Sequence, residues 1–570
     1  MAADNRRRGV GGAALDVLLT DAAMGNPAQR IARQPGALVK TAARVGLRPD
    51  RVARRAASFT KDVAEITRGS SEIAPPRGDK RFADPAWQKN WLFRRVAQTY
   101  IAAGTHADGL IDDADLDWRA DTMARFVTGN VHDLLSPTNF PWSNPAVLKE
   151  TLDQGGANLV KGVRRAGRDI GARRLPAMVD TSRFEVGGNV AVTPGAVVLR
   201  TDVFELIQYA PTTARVRPVP LLMVPPTINK YYVLDLAPGR SMVEYLIAQG
   251  QQVFMISWRN PGAEQGHYDF DTYADAVVQA REAVAQICRQ EQVHLAAACS
   301  GGIITSGLAG HLAATGKLDD SVASLTLLVC ALDNARAGTA SALAGRELAA
   351  AAVAESARKG YLDGKALANV FAWLRPNDLV WGYVINNYLM GKPPPAFDIL
   401  YWNQDGVRLS AGLHRDFVHM ALDNTMTKAG GMTVLGSPVD LRKVKLDAYV
   451  VAGLNDHIVP WENAYRGAKL FGGAPRFVLS TSGHIQALIN PPTGWAGGGE
   501  SRSNFRVSEE LPDSEAEFVR DVPRTSGSWW GDHAKWLAAR SGDLRPPRKT
   551  LGSTKHKPLA KAPGSYVHAA

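Results

Sequence analysis

The stretch VHLAAACSGGIITSGLAGHLAA, Val293 to Ala314, restricts the possible folds of this chain more than any other. Its first six residues, Val293 to Ala298, read as a strand buried in a sheet. Cys299-Ser300-Gly301-Gly302 break that pattern, and small residues then line one face of a helix. A strand that turns at once into a helix, with a nucleophile at the corner and glycines behind it, presents a reactive side chain on strained backbone. Two adjacent nucleophiles compete for the corner. With Cys299 it reads Ala297-x-Cys299-x-Gly301, backed by Gly302; with Ser300 it reads Ala298-x-Ser300-x-Gly302. Both give the corner small neighbours. Six strand residues precede Cys299, and glycines two and three positions after it fit such a corner better, so Cys299 is assigned as the nucleophile.

The flanking sequence supplies a sheet for that corner. From Phe184, FEVGGNVAVTPGAVVLRTDVFELIQY alternates apolar and polar residues and breaks at Gly188 and Pro194, as strands and hairpins do. VPLLMVPPTINKYYVLDL, SMVEYLIAQGQQVFMISWRNP and DTYADAVVQAREAVAQICRQ follow, giving strands alternating with helices, the order of a doubly wound parallel sheet. The runs LLMV and VFMISW are continuously apolar, as strands covered on both faces must be. Another strand, SVASLTLLVC, precedes more than a hundred residues of helical and irregular pattern before VKLDAYVVAGLND resumes the sheet. That interval is too long for a loop and reads as an inserted cap. The predicted class is α/β, an α/β-hydrolase fold with an inserted helical cap, preceded by a mainly helical N-terminal domain. The predicted boundaries are a basic, flexible segment over residues 1–75, a helical domain over 76–183, and a catalytic domain over 184–570 whose cap spans about 331–439.

In this fold an acid and then a histidine follow the nucleophile. YVVAGLNDHIVPW is a strand ending in a loop with Asp456 at its tip, and RFVLSTSGHIQ is a strand whose following loop holds His484. Sites in open α/β sheets assemble in such loops at strand C-terminal ends. His457 adjoins Asp456 directly and would point away from it. Cys299, Asp456 and His484 each fill their slot in order, a far more specific signal than the corner alone. The backbone N–H of Ser300 is one expected oxyanion donor, and the loop VPPTINKYY supplies a second from Ile228 or, alternatively, Asn229.

Composition excludes several classes. The three cysteines, Cys288, Cys299 and Cys330, form no C-x-x-C pair, which argues against a disulfide framework and a zinc site. Cys288 and Cys330 read as small buried hydrophobes. No apolar run reaches the length of a transmembrane helix, and Asp16 and Asp21 interrupt what would be a signal peptide. The formal net charge is +11, and thirteen Lys and Arg against six acids fall before residue 71. Aromatic residues do not interleave those arginines, so a nucleic-acid interface is not expected. A solvated basic tail is the first reading, and an amphipathic surface-binding segment the second, since VLLTDAA and ALVKTAARVGL carry short apolar stripes. In the cap, FAWLRPNDLVWGYVINNYLMGKPPPAFDILYWNQD is dense in aromatic and aliphatic residues, suited to packing, to a hydrophobic tunnel or to a dimer contact.

Taken together, ACSGG, VPPTINKYYVLDL, FMISWRNP, FAWLRPNDLVW, NNYLMGKPPPAFDILYWN, AGLNDHIVPW, SGHIQALINPP and GSWWGDHAKWLAARSG resemble the polyhydroxyalkanoate synthases, nearest the single-subunit branch with the medium-chain (class II) enzymes. The resemblance runs from about Phe82 to the C-terminal PGSYVHAA. It implies a Cys299–Asp456–His484 triad, (R)-3-hydroxyacyl-CoA as substrate and a growing polyester as product. It further implies a cytoplasmic location at polyester granules, with granule-associated proteins as partners, and a homodimer. No cofactor or metal is expected. A cytosolic esterase or depolymerase of the same fold, and a granule-surface binding protein, are the alternatives.

Overall fold

The computed structural model describes residues 43–569 apart from 77, 117, 173, 335–345, 375, 457 and 498–502. The N-terminal unit is helical: α1 (Pro49–Arg68), α2 (Trp91–Asp113), α3 (Trp118–Leu134), α4 (Pro145–Asp153) and α5 (Ala157–Gly171). Caps fix several starts. The Asn90 side chain accepts from the N–H of Leu92 and Phe93, and Asn144 accepts from Ala146 and Val147 ahead of Pro145. Helix α1 lies inside the segment expected to be a flexible tail. Its arginines explain the difference. Arg48 and Arg51 donate to the Asp113 carbonyl, both at 3.0 Å, and Arg55 pairs with the Asp113 carboxylate at 2.7 Å, so charge counted as a solvated face docks the helix on α2. The part of the basic segment before residue 43 lies outside the described residues.

Eleven strands form the central sheet. In chain order they are β1 (Gly195–Arg200), β2 (Phe204–Tyr209), β3 (Leu221–Val224), β4 (Val253–Trp258), β5 (Val293–Ala298), β6 (Val322–Leu328), β7 (Ala448–Gly453), β8 (Pro475–Ser480), β9 (Asn504–Ser508), β10 (Thr525–Ser526) and β11 (Ala560–Lys561). Their spatial order is β11-β1-β2-β4-β3-β5-β6-β7-β8-β9-β10. Strands β3 to β8 are mutually parallel, while β2 runs antiparallel to β4 and β9 antiparallel to β8. The core order 1-2-4-3-5-6-7-8 with an antiparallel second strand is the α/β-hydrolase fold. Burial explains the sequence runs: every residue of β3, β4, β5 and β7 is buried, so those strands are apolar without alternation.

Helices cover both faces. On one face pack α7 (Phe270–Cys288), α8 (Ser300–Ala314) and α13 (Trp461–Ala468); on the other pack α6 (Met242–Ala248), α14 (His484–Leu488) and α15 (Trp530–Ala538). Between β6 and β7 the chain forms α9 (Arg346–Lys359), α10 (Gly364–Leu374), two π-helical turns (Asn377–Trp381 and Val384–Leu389), α11 (Asp398–Gln404) and α12 (Ala411–Asp423). The region read as a cap divides in two. Leu413, Phe417 and Val418 of α12, with Val434 and Val439 beyond it, join the main core against α7 and α8. Among the described residues of this region, those over the site come from the first π-helical turn and α11. Among the described residues no helix is long and apolar enough to cross a membrane.

Candidate active site

Cys299 occupies the corner between β5 and α8 with φ 50° and ψ −120°. Such backbone is strained for a residue with a Cβ and persists only where its surroundings enforce it. Here the enforcement is visible. The Cys299 N–H donates to Leu328 O at 2.9 Å, and its carbonyl accepts from Gly302 at 2.9 Å and Ile303 at 3.2 Å. Gly301 lies so close to β3 that a Cβ would come within 2.4 Å of Pro225 O and 2.6 Å of Val224 O. A Cβ on Gly302 would sit 2.9 Å from Cys330 Sγ. The two glycines that set the register in the sequence are therefore required by close approach on either side.

The neighbouring hydroxyl is used differently. Ser300 is fully buried, and its Oγ accepts from the Thr227 N–H at 2.9 Å and lies 3.1 Å from Thr227 Oγ1. Cys299 faces the cavity, whereas Ser300 ties α8 to the loop after β3. Burial pushes the Cys288 thiol up to about 12 and the Cys330 thiol well above its ordinary range, so both stay protonated and inert.

Asp456 lies three residues past β7. Its Oδ1 accepts from the N–H groups of Ile458 at 2.8 Å and Val459 at 2.9 Å, leaving Oδ2 to accept from His484 Nδ1 at 2.7 Å. His484 is the first residue of α14 rather than part of a loop, and both side chains are almost wholly buried. With Nδ1 held by Asp456, its other ring nitrogen remains to serve Cys299, which lines the same cavity. Burial opposes a charge on His484, but the Asp456 carboxylate, its hydrogen bond and the Cys299 sulfur outweigh this and push the imidazole up to about 10. The site thus holds a proton on His484 at neutral pH, beside the sulfur. His457 lies outside the described residues.

The structure brings Cys299 and His484 together with Ile228 and Asn229 around one cavity of about 250 Å³, with Asp456 behind His484 and outside the lining. Cys299 and His484 form its floor, and Ile458, Ile485 and Leu488 line the sheet side. The remaining wall belongs to the cap: Asp378 and Leu379 from the first π-helical turn, then Ile399, Leu400, Trp402 and Asn403 from α11. Sequence reading identified this aromatic region but not these side chains, because contacts across a hundred residues leave no local periodicity. Thr227 was missed for the same reason. Chemically, the arrangement sets a thiol and an imidazole, the latter held by a carboxylate, in a largely apolar cavity, a combination suited to acyl transfer.

Comparison with known proteins agrees with the geometry. Residues 78–246 match the family model described as "Poly-beta-hydroxybutyrate polymerase (PhaC) N-terminus", and residues 220–491 match that of the alpha/beta hydrolase fold. Poly(3-hydroxyalkanoate) polymerase 2 of Ectopseudomonas oleovorans is 42% identical over 506 residues, 89% of each chain. Poly(3-hydroxyalkanoate) polymerase 1 of the same organism is 41% identical over 517 residues, 90% of this chain and 91% of that one. The Poly(3-hydroxyalkanoate) polymerase subunit PhaC of Cupriavidus necator is 37% identical over 511 residues, 88% of this chain and 85% of its own. Relatives this similar along nearly their whole length leave one conclusion: the chain belongs to the poly(3-hydroxyalkanoate) polymerase family.

Proposed function

We propose that this protein polymerises (R)-3-hydroxyacyl-CoA into polyester, releasing CoA, through an acyl group carried on Cys299. The observation that supports the reading most directly is a sulfur at a strained corner sharing a largely apolar cavity with His484, whose Nδ1 is held by Asp456. The Cys299 sulfur, with its proton already resting on His484, attacks the thioester carbonyl. The oxyanion meets the Ser300 N–H and a second N–H from Ile228 or Asn229. Collapse expels CoA, whose sulfur takes the proton back from His484. One thioester replaces another, so the acyl-enzyme forms near thermodynamic balance and stays reactive. A serine ester at the same corner would dissipate that reactivity.

Elongation requires the 3-hydroxyl of one acyl unit to attack the thioester of another. Asp456 orients His484 or assists in deprotonating that hydroxyl. Water is the competing acceptor, and the cap's Leu379, Ile399, Leu400 and Trp402 suit its exclusion. Each acyl methylene buried among them contributes about 0.8 kcal/mol to binding. Under this reading the partners are the growing polyester and the granule surface, with a second copy of the chain as a homodimer. The exposed Trp142, Leu152, Val163 and Ile170 of the N-terminal unit suit an apolar surface. Incubating the purified protein with 3-hydroxyacyl-CoA tests the proposal. Free CoA with insoluble polyester is expected; free hydroxy acid without polymer would make the protein a hydrolase.

A further inference from the structure

The loop between β3 and the Tyr231–Val233 turn is held from two sides. On the body side, Trp258 Nε1 donates to Pro225 O at 3.0 Å and the Thr227 N–H donates to Ser300 Oγ at 2.9 Å. On the cap side, everything converges on Lys230. Its carbonyl accepts from Trp402 Nε1 at 2.8 Å, and its ammonium, 7% exposed, pairs with Asp405 at 2.7 Å. Asp405 also accepts from Tyr232 Oη at 2.8 Å, and Asn229 forms a backbone bridge with Gly406. Ile228 and Asn229, the two candidates for the second oxyanion donor, lie between these clamps and line the cavity with Trp402.

A buried lysine is costly unless it is paired, and a partner on a separate structural layer makes its placement depend on that layer. We infer that Lys230 and Asp405 are a positioning pair that couples the seating of cap helix α11 to the alignment of the oxyanion-binding loop. Neither residue touches the reacting atoms. Trp402 links the two functions, since one face lines the acyl cavity while its indole N–H fixes the Lys230 carbonyl. An acyl chain that fills the cavity against Trp402 therefore presses on the element that aligns Ile228 and Asn229, and the thiol is offered a stabilised oxyanion only when the cap is seated.

The inference rests on acyl transfer at Cys299, and its test separates the two. The first-turnover release of CoA from 3-hydroxyoctanoyl-CoA is measured for wild type, Lys230→Met, Lys230→Arg and the isosteric Asp405→Asn, together with the alkylation rate of the Cys299 thiol by iodoacetamide. Lys230→Met and Asp405→Asn are expected to slow acylation about 10- to 100-fold, below the roughly 10²- to 10³-fold cost of deleting an oxyanion donor outright, with KM within about threefold. Lys230→Arg, which keeps the ion pair, is expected to recover most of the rate. Alkylation needs no oxyanion stabilisation and is expected to stay within about twofold of wild type. Should Lys230→Met fail to fold, Asp405→Asn carries the same expectation. Wild-type acylation in Asp405→Asn, or alkylation slowed in step with acylation, overturns the pair's role. A wild-type protein that releases no CoA defeats the polymerase reading instead, and the same rate ratios are then read with p-nitrophenyl butyrate.

Discussion

The corner at Cys299 and the cap above it are held by different kinds of force. Around the corner, β5 is flanked on both sides by parallel ladders, Ala297 opposite Val224 and Ala298 opposite Leu328, and all its residues are buried. Its precision comes from many backbone bonds and close contacts, none decisive alone. The cap chain from Asn377 to Pro395 is instead seated on the N-terminal unit by side-chain hydrogen bonds and by close approach, Gly162 lying against the Tyr388 carbonyl. Asn387 Nδ2 donates to Ala177 O at 2.7 Å, Tyr388 Oη to Asp169 at 2.8 Å, Asn158 Nδ2 to Leu389 O at 2.8 Å, and Arg165 to Lys392 O at 2.8 Å. The difference separates chemistry from access. A body knitted by strand ladders presents the thiol, and a wall seated by side-chain contacts decides what reaches it.

The sharpest way to break this division is to remove the nucleophile. Cys299→Ala is expected to lower CoA release at least about 10³-fold without changing thermal stability by more than a few degrees. Retention of a tenth of the activity would move the chemistry elsewhere. Next in size, Asp456→Asn is expected to cost about 10²- to 10⁴-fold in kcat. It also has a pH signature. Because His484 is raised from near 6.5 to about 10, its pairing stabilises the fold fully below about pH 6.5 and the gain is lost as pH rises toward 10. In Asp456→Asn that alkaline loss is expected to flatten in a melting-temperature profile; an unchanged slope would contradict the pairing.

Smaller effects address the cap. Tyr388→Phe removes one tether to the N-terminal unit, and its hydrogen bond to a carboxylate is of a kind that contributes about 1.5–3 kcal/mol. The expected result is a two- to fivefold rise in KM, faster alkylation of Cys299 and little change in kcat. A fall in kcat with unchanged KM would show that the wall and the corner are not separable. The smallest effect belongs to the body. His294, also on β5, sits between Ser324 Oγ at 2.8 Å and Ser541 Oγ at 3.0 Å, and burial lowers it to about 4. The unfolded chain takes up that proton first, so stability falls as pH drops from about 6.5 to about 4. Buried Asp235, raised to about 6, acts in the opposite sense, so the comparison is between variants. His294→Gln is expected to shallow the acid slope of the melting temperature; an identical slope would place the acid sensitivity elsewhere.

What the sequence made legible follows the same division. The strand before Cys299, the glycines after it, and Asp456 and His484 at successive strand ends are local patterns, each imposed by burial or close approach. Ile228 and Asn229 followed from loop position and do face the cavity. The pairs that join layers, Lys230 with Asp405, Tyr388 with Asp169 and Thr227 with Ser300, lie 175, 219 and 73 residues apart and leave no period to read. Arg55 illustrates the converse error, since an arginine-rich run gives the same composition whether it is solvated or closes on an aspartate. The C-terminal strand was illegible because two residues carry no alternation, although buried Glu205 awaits it, accepting from the N–H groups of Ser565 at 2.8 Å and Tyr566 at 2.9 Å.

That last strand also bears on how copies of the molecule can meet. The sheet ends at β11 on one side and β10 on the other, each only two residues long, with Glu205 anchoring the turn that follows β11. An outer strand so short offers too few unpaired backbone groups to recruit a neighbour. Lateral growth of the sheet from one molecule into the next is disfavoured at both rims. Clipping residues 559–568 is expected to reopen the rim at β1 and to raise strand-to-strand aggregation, measured by light scattering.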